Sequence, residues 1–411
     1  MVYSWYFLSF GISDKILVMR KFTTFLKILL IVVALGAGGW YAFGQGGPFE
    51  TQGKVIAQMI SEKIGDVDEA KPHVEDKSQA EETEPVEEEI VEEEAEPLDL
   101  TTSIVFTGDV ELSEYVQANY DNGGIEAVVS PEILALLNDA DITMINNEFC
   151  FSTRGQKAPD KEYNFRVNPS YVSILTDAGV DIAGLANNHV LDYESQGLLD
   201  TFTTLTDAGI EYTGAGNTFE EASRLVIRED DKGRTYGFLA ASHVIPVASW
   251  NITDASPGEF CFYDETALLQ AIEEADKKVD YLFVMVHWGT EHTTELTEYQ
   301  TIDGHKFIDM GAEAVIGMHS HCLQPVEIYN GKPIFYSLGN FIFNQTIKSG
   351  GGGAVEFTID ENDEITYRVI PIRAQNACTD EAIKTDPAAY DYIESISEGL
   401  VLDEAGYIEF Q

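Results

Sequence analysis

From Leu98 onward the sequence predicts an α/β domain, on two observations. Short apolar runs of strand type alternate with amphipathic helical stretches, and five of those runs lead straight into a side chain able to bind metal. The predicted strands are 103–107, 142–146, 181–186, 236–241, 281–286, 314–317, 333–337, 354–359 and 365–372. The helices between them are predicted at 130–138, 169–178, 195–208, 264–277 and 300–310. Asp177-Ala-Gly-Val-Asp181 and Asp207-Ala-Gly-Ile-Glu211 each join a helix to the next extended segment, with glycine supplying the left-handed stop. The glycine run 350–353 divides this region from a closing β-hairpin that turns at Asp360-Glu-Asn-Asp363. The domain is read as 99–376, and 377–411 as an acidic tail with one helix at 387–399.

Composition narrows the function. The chain has 411 residues with 71 acidic against 24 Lys and Arg, a formal net charge of −47, so nucleic acid is excluded as a partner for want of cations. With 44% hydrophobic residues, 22 Phe and 19 Tyr it is not a disordered chain. Between residues 66 and 97 stand 15 acidic residues against Lys71 and Lys77, with no aromatic, which predicts a disordered, extended acidic linker over 45–98. Residues 98–411 still carry −37, which fits solubility as well as a salty or extracytoplasmic setting.

Upstream, 28–43 holds no charge, and 25–44 reads as a single transmembrane signal anchor. Lys15, Arg20, Lys21 and Lys27 precede or flank its start, placing 1–24 in the cytoplasm and the rest outside the cell membrane. A cleaved signal peptide shares this pattern, although no A-x-A site follows the apolar run. Met19 is an alternative start. Four cysteines (Cys150, Cys261, Cys322, Cys378) make neither a disulfide scaffold nor a paired zinc motif; a Cys150–Cys322 bridge and two separate small core residues are both open.

The strand ends gather the chemistry. They lead to Asp109, Glu148, Asn187-Asn188-His189, His287 and His319-Ser320-His321. In an open α/β sheet ligands bind outside the carboxyl ends of the strands, so these residues converge on one rim. Carboxylates, an amide oxygen and imidazoles suit Mn²⁺, Fe²⁺ or Zn²⁺ better than Mg²⁺ or Ca²⁺. Taken singly, Asp109 reads equally as a turn residue, Glu148 as a strand-end carboxylate and Asn188 as a helix cap; the repetition argues for ligands. Arg166 is a candidate anion clamp or a surface ion pair. His73, His292 and His305 carry no assigned role, and His243 is open between pocket and core.

The segments Phe106-Thr-Gly-Asp-Val110, Asn146-Asn-Glu148, Phe165-Arg166, Gly184-Leu-Ala-Asn-Asn-His189 with Asp192, Gly214-Ala-Gly216, His287-Trp-Gly289 with Glu291, Gly317-Met-His-Ser-His321 with Gln324-Pro325, and Tyr336-Ser-Leu-Gly-Asn-Phe341 resemble the CapA family of poly-γ-glutamate capsule biosynthesis proteins. The resemblance runs in order from about 103 to 343. That family is similar to calcineurin-like metallophosphoesterases, which implies a four-layer α/β/β/α sandwich and a site for one or two divalent ions. It implies Asp109, Glu148, Asn188, His287, His319 and His321 as metal ligands, Glu148 bridging, with His189 as general acid. The sequence departs from the phosphoesterase pattern with Val110-Glu111 in place of a further His, with Glu148 in place of Asp, and with Met318-His-Ser-His. The implied partners are poly-γ-glutamate or a phosphorylated small substrate, the membrane, and subunits of a capsule-synthesis complex. The alternatives are a general extracytoplasmic metallophosphoesterase and a non-catalytic polymer-handling subunit with a structural metal.

Overall fold

A computed structural model describes residues 100–410, apart from 160, 254, 345–350 and 385. The anchor at 25–44 and the linker at 45–98 lie outside the described residues. Among the described residues no helix is long and apolar enough to cross a membrane.

Two mixed sheets carry the fold. The first runs, edge to edge, Cys378–Glu381, Ile365–Gln375, Gly352–Ile359, Thr102–Val110, Ile142–Asn147, Ile182–Gly184 and Glu211–Thr213, with Asn340–Ile342 paired to the end of Thr102–Val110. The second runs Val326–Tyr329, Lys332–Phe335, Ala314–Met318, Tyr281–His287, Thr235–Ser242 and Val226–Glu229. In each sheet the central strands are parallel, so their carboxyl ends point one way.

Alternation along single strands decides the layering, because successive side chains of a strand face opposite sides. Ile104 and Phe106 point into a core shared with Phe283, Met285 and Phe357, while Val105 between them joins a core made with Ile133, Leu137, Leu198 and Phe202 of the helices Pro131–Asp139 and Glu194–Ala208. In the second sheet Leu282, Val284 and Val286 turn the other way, onto Leu268 and Ile272 of Thr266–Asp276 and Phe307 of Glu298–Asp309. The layers are therefore helix, sheet, sheet, helix. Phe106, Phe283 and Phe357 pin the sheets together, their ring centroids 5.0 to 5.4 Å apart; such pairs add about 0.5–1.5 kcal/mol each beyond burial.

All nine expected strands are present, as are the helices. The stretch expected as one helix over 169–178 opens as a 3₁₀ turn, Pro169–Tyr171, before the helix Val172–Asp177. The sequence reading lacked the helix Glu114–Gly123, whose polar surface hides its period and whose start is capped by Ser113 accepting from the Val116 N–H. Three corrections concern larger units. Residues 377–411 do not form a separate tail: Cys378–Glu381 extends the first sheet, and Ile393, Leu400 and Ile408 are buried in the core between the sheets. The glycine run is not merely a divider, since Gly352 and Gly353 lie inside a strand. A Cβ at Gly352 would sit 1.8 Å from the Asn340 carbonyl oxygen, so only glycine lets the two strands approach. No Cys150–Cys322 bridge forms, and Cys150 and Cys322 are both buried.

One carboxylate ties the start of the first sheet to the edge of the second. Asp230 Oδ2 accepts from the Thr102 hydroxyl at 2.8 Å, the Tyr236 hydroxyl at 2.8 Å and Arg234 Nε at 2.6 Å, and Oδ1 accepts from the Arg234 N–H at 2.9 Å. Burial alone would raise its pKa, but these donors, Arg234 foremost, override burial and hold the group well below the usual carboxylate range. A folded-state pKa below the unfolded one gives stability that is complete above the unfolded value and is lost as pH falls through the folded value. Asp230→Asn is expected to lower unfolding free energy at neutral pH by about 1–3 kcal/mol. It is also expected to weaken the acid dependence below pH of about 4. Urea unfolding of both proteins across pH reads both effects.

Candidate metal centre

The rim where the two sets of parallel strands end collects the ligand-type residues. Thr102–Val110 delivers Asp109, Ile142–Asn147 delivers Glu148, the turn after Ile182–Gly184 delivers Asn187, Asn188 and His189, Tyr281–His287 ends on His287, and the loop after Ala314–Met318 carries His319 and His321. Close backbone contacts set their depth. A Cβ at Gly108 would lie 2.1 Å from the Gly339 carbonyl oxygen, and one at Gly317 would lie 2.0 Å from that of Tyr336. His319 and His321 themselves take left-handed backbone conformations, with φ of 95° and 55°. That is unusual for non-glycine residues and typical of functional turns.

Glu148 stands at the centre. It is fully buried, and neither carboxylate oxygen has a hydrogen-bond donor. Its Oε1 lies 3.6 Å from His287 Nε2 and 3.9 Å from Nε2 of both His189 and His321. Asn188 Oδ1 sits 2.7 Å from His287 Nε2. Asp109, also fully buried, accepts from Asn146 Nδ2 at 2.7 Å and from the His319 N–H at 3.2 Å, and its Oδ2 is 3.5 Å from His321 Nδ1. His321 Nδ1 also lies 2.9 Å from Asn340 Oδ1. The ligand atoms of Glu148, His287 and His319 all fall within 4.8 Å of one another, as do those of Asp109, Glu148 and His321, and those of Glu291, His319 and His321.

Electrostatics match this geometry. Burial, and then the neighbouring Asp109, push the Glu148 carboxyl well above its ordinary pKa, while burial raises Asp109 with His321 pulling the other way. Burial holds His287 far below the usual imidazole value and His319 down to about 3, so both rings keep a lone pair at neutral pH. Along with Glu148, the His319 Nδ1 is buried without a partner. Buried polar atoms without donors are costly, and a divalent cation at this rim would offset that cost. Two carboxylates, an amide oxygen and three imidazoles fit a borderline divalent ion.

His189 adjoins this set without joining its three clusters. Its Nδ1 lies 2.7 Å from Asp192 Oδ2 and 2.9 Å from Lys161 Nζ, and Phe165 stacks on its ring at 4.3 Å. Lys161 also donates to the Asn188 carbonyl at 2.5 Å and pairs with Asp192. Arg166 is exposed, donates to the Arg154 carbonyl at 3.1 Å and covers the Tyr193 ring at 4.2 Å. His243 stacks on Tyr299 at 3.9 Å and lies beside the centre, its N–H donating to the His287 carbonyl at 2.8 Å. Lys161 and Glu291 were not assigned from sequence. Lys161 sits in an irregular loop with no periodic pattern, and Glu291 could have been found from its spacing after His287-Trp-Gly.

Comparison with known proteins follows the same segments. Residues 103–345 match the family described as bacterial capsule synthesis protein PGA_cap. The chain is 29% identical over 289 residues to the PGA biosynthesis protein CapA of Bacillus subtilis (strain 168), covering 69% of this chain and 74% of that protein. It is 28% identical over 285 residues to the capsule biosynthesis protein CapA of Bacillus anthracis, covering 66% and 67%. It is 31% identical over 307 residues to a probable polyglutamine synthesis accessory protein of Mycobacterium tuberculosis, covering 68% and 79%. A solved phosphatase of Mycoplasma pneumoniae aligns with 67% of this chain and 95% of its own at 14% identity, with a TM-score of 0.43.

Metal addition to the chelated protein is expected to stabilise it by about 2.7 kcal/mol at a hundredfold excess over the dissociation constant. Thermal unfolding with and without Mn²⁺ or Zn²⁺ measures this. Glu148→Gln, which keeps the shape and removes the charge, is expected to abolish the shift; an undiminished shift in that variant would place the metal elsewhere.

Proposed function

Because this chain belongs to the bacterial capsule synthesis protein family, we propose that it acts in the synthesis or export of poly-γ-glutamate at the outer face of the cell membrane and carries a metal-dependent hydrolytic site. In this reading 25–44 anchors the chain, 45–98 spaces the domain from the bilayer, and other capsule-synthesis subunits are its partners. The observation that carries the hydrolytic part is the fully buried Glu148 carboxylate, without a hydrogen-bond donor and ringed by imidazoles. Asp109, Glu148, Asn188, His287, His319 and His321 would hold one or two divalent ions, whose contribution is Lewis acidity toward water and toward a phosphoryl or acyl group.

The remaining roles fall to the protein. His189 presents Nε2 toward Glu148, 3.9 Å away, and is anchored through Nδ1 by Asp192, so Nε2 is the atom that exchanges a proton with the leaving group. Lys161 neutralises Asp192 and fixes the Asn188 carbonyl, holding the turn that bears both Asn188 and His189. Phe165 covers the ring face and excludes water from it. The acidic surface disfavours any polyanion in general, and the cation cluster is the place where a glutamate polymer or a phosphorylated substrate gains attraction. That makes the substrate anionic and its reacting group the part nearest the rim.

Two experiments test the reading. Deletion in the host is expected to remove surface polymer, with the wild-type gene restoring it and His287→Ala failing to do so; restoration by His287→Ala would argue for a non-catalytic role. With the purified full chain and a generic phosphodiester, His189→Ala is expected to lower turnover about 10²- to 10⁴-fold while metal content stays at the wild-type level.

A further inference from the structure

The two inner groups, Glu148 with His287 and His319 and Asp109 with Glu148 and His321, are the buried part of the rim. Glu291 is different. Its side chain is 49% exposed, yet one of its oxygens falls within 4.8 Å of ligand nitrogens of both His319 and His321. Its place is built rather than incidental. The adjoining His292, itself left-handed at φ 59°, donates its N–H to the Ser320 carbonyl at 2.8 Å, between the two histidines. Two residues further on, the Thr293 carbonyl accepts from Cys322 Sγ at 3.3 Å and from Gln324 Nε2 at 3.1 Å. At the other side the Gly289 N–H donates to the Tyr299 hydroxyl at 2.8 Å. The loop bearing Glu291 is thus stitched along its length to the loop bearing His319 and His321. Of the three groups this is the one with a member open to solvent, and it shares one histidine with each inner group.

We propose that Glu291 is a metal ligand at the mouth of the rim, forming with His319 and His321 a third, solvent-side cation position outside the six-residue set expected from the sequence. The proposal rests on the metal-site reading above. A carboxylate oxygen with two imidazoles is a donor set for a borderline cation such as Mn²⁺ or Zn²⁺. A neutral imidazole nitrogen has one lone pair, so an ion at the mouth takes His319 and His321 only through nitrogens not committed to an inner ion, and it is held more weakly and exchanges faster than an inner one. Glu291 also offers what Glu111 does not. Glu111 is buried, takes the position where a further histidine was expected, and belongs to none of the three clusters, so the mouth regains through Glu291 a donor that the first strand lacks.

The test is calorimetric titration of the chelated full-length protein with Mn²⁺, and in parallel with Zn²⁺, for wild type, Glu291→Gln, Glu291→Asp and the exposed control Glu295→Gln. The expected result is that Glu291→Gln weakens the most weakly bound ion about tenfold or more, or removes it from the stoichiometry, while tighter binding is unchanged. Glu291→Asp is expected to recover part of the loss and Glu295→Gln to match wild type. Identical isotherms for Glu291→Gln and wild type, or an equal loss in Glu295→Gln, would overturn the proposal. A wild-type protein that binds no metal would instead overturn the metal-site reading on which it rests.

Discussion

The centre of this molecule is a buried carboxyl group, Glu148, without hydrogen-bond donors. Glu148 and Asp109 sit fully buried where the parallel strands of two sheets end, and Glu148 has no N–H or O–H to receive. Removing a carboxylate from water costs several kcal/mol unless something opposite in charge meets it. Much else in the rim answers that cost. His287 and His319 are kept neutral by the same burial and so remain donors of lone pairs, and Lys161 compensates Asp192 next door. The close backbone approaches at Gly108 and Gly317 exist because the strands must meet near enough for their ends to share one space.

Much of this was legible in the sequence. Strands rich in Val, Ile and Phe, five of them running into Asp, Glu, Asn or His, announced both the sheets and the convergence of their ends. The departures have physical causes. Glu114–Gly123 is a helix with little apolar face, and a period cannot be read where there is none. Cys378–Glu381 is a short edge strand of polar residues, held by pairing to Ile365–Gln375 rather than by its own pattern, so the segment looked like a tail. Gly352 reads as a breaker in isolation; its meaning lies in the Asn340 backbone it faces, a partner invisible to local analysis.

At the rim, residues that closely follow the predicted strands were named from the sequence, and Lys161 and Glu291 were given no role. Asp109, Glu148, Asn188, His287, His319 and His321 follow from strand positions, and the structure brings them together. Arg166 was singled out for its chemistry alone, and its guanidinium lies over the Tyr193 ring. Lys161 and Glu291 reach the same space from loops, and the path of the Glu291 loop is tied by the His292 N–H to the Ser320 carbonyl. Side-chain type says what a residue is able to do, and the loop decides whether it has the opportunity.

The division of the ligands between two sheets has a mechanical side. Asn188 and His287 are 99 residues apart in the chain, and Asp109 and His319 are 210 apart, yet each pair is in direct contact. An ion gripping both members would work as a removable staple across the sandwich, closing loops long enough that restraining them takes substantial entropy from the unfolded chain. Loss of such an ion would loosen the two sheets from each other at this rim. Occupancy of the centre and rigidity of the fold would then rise and fall together.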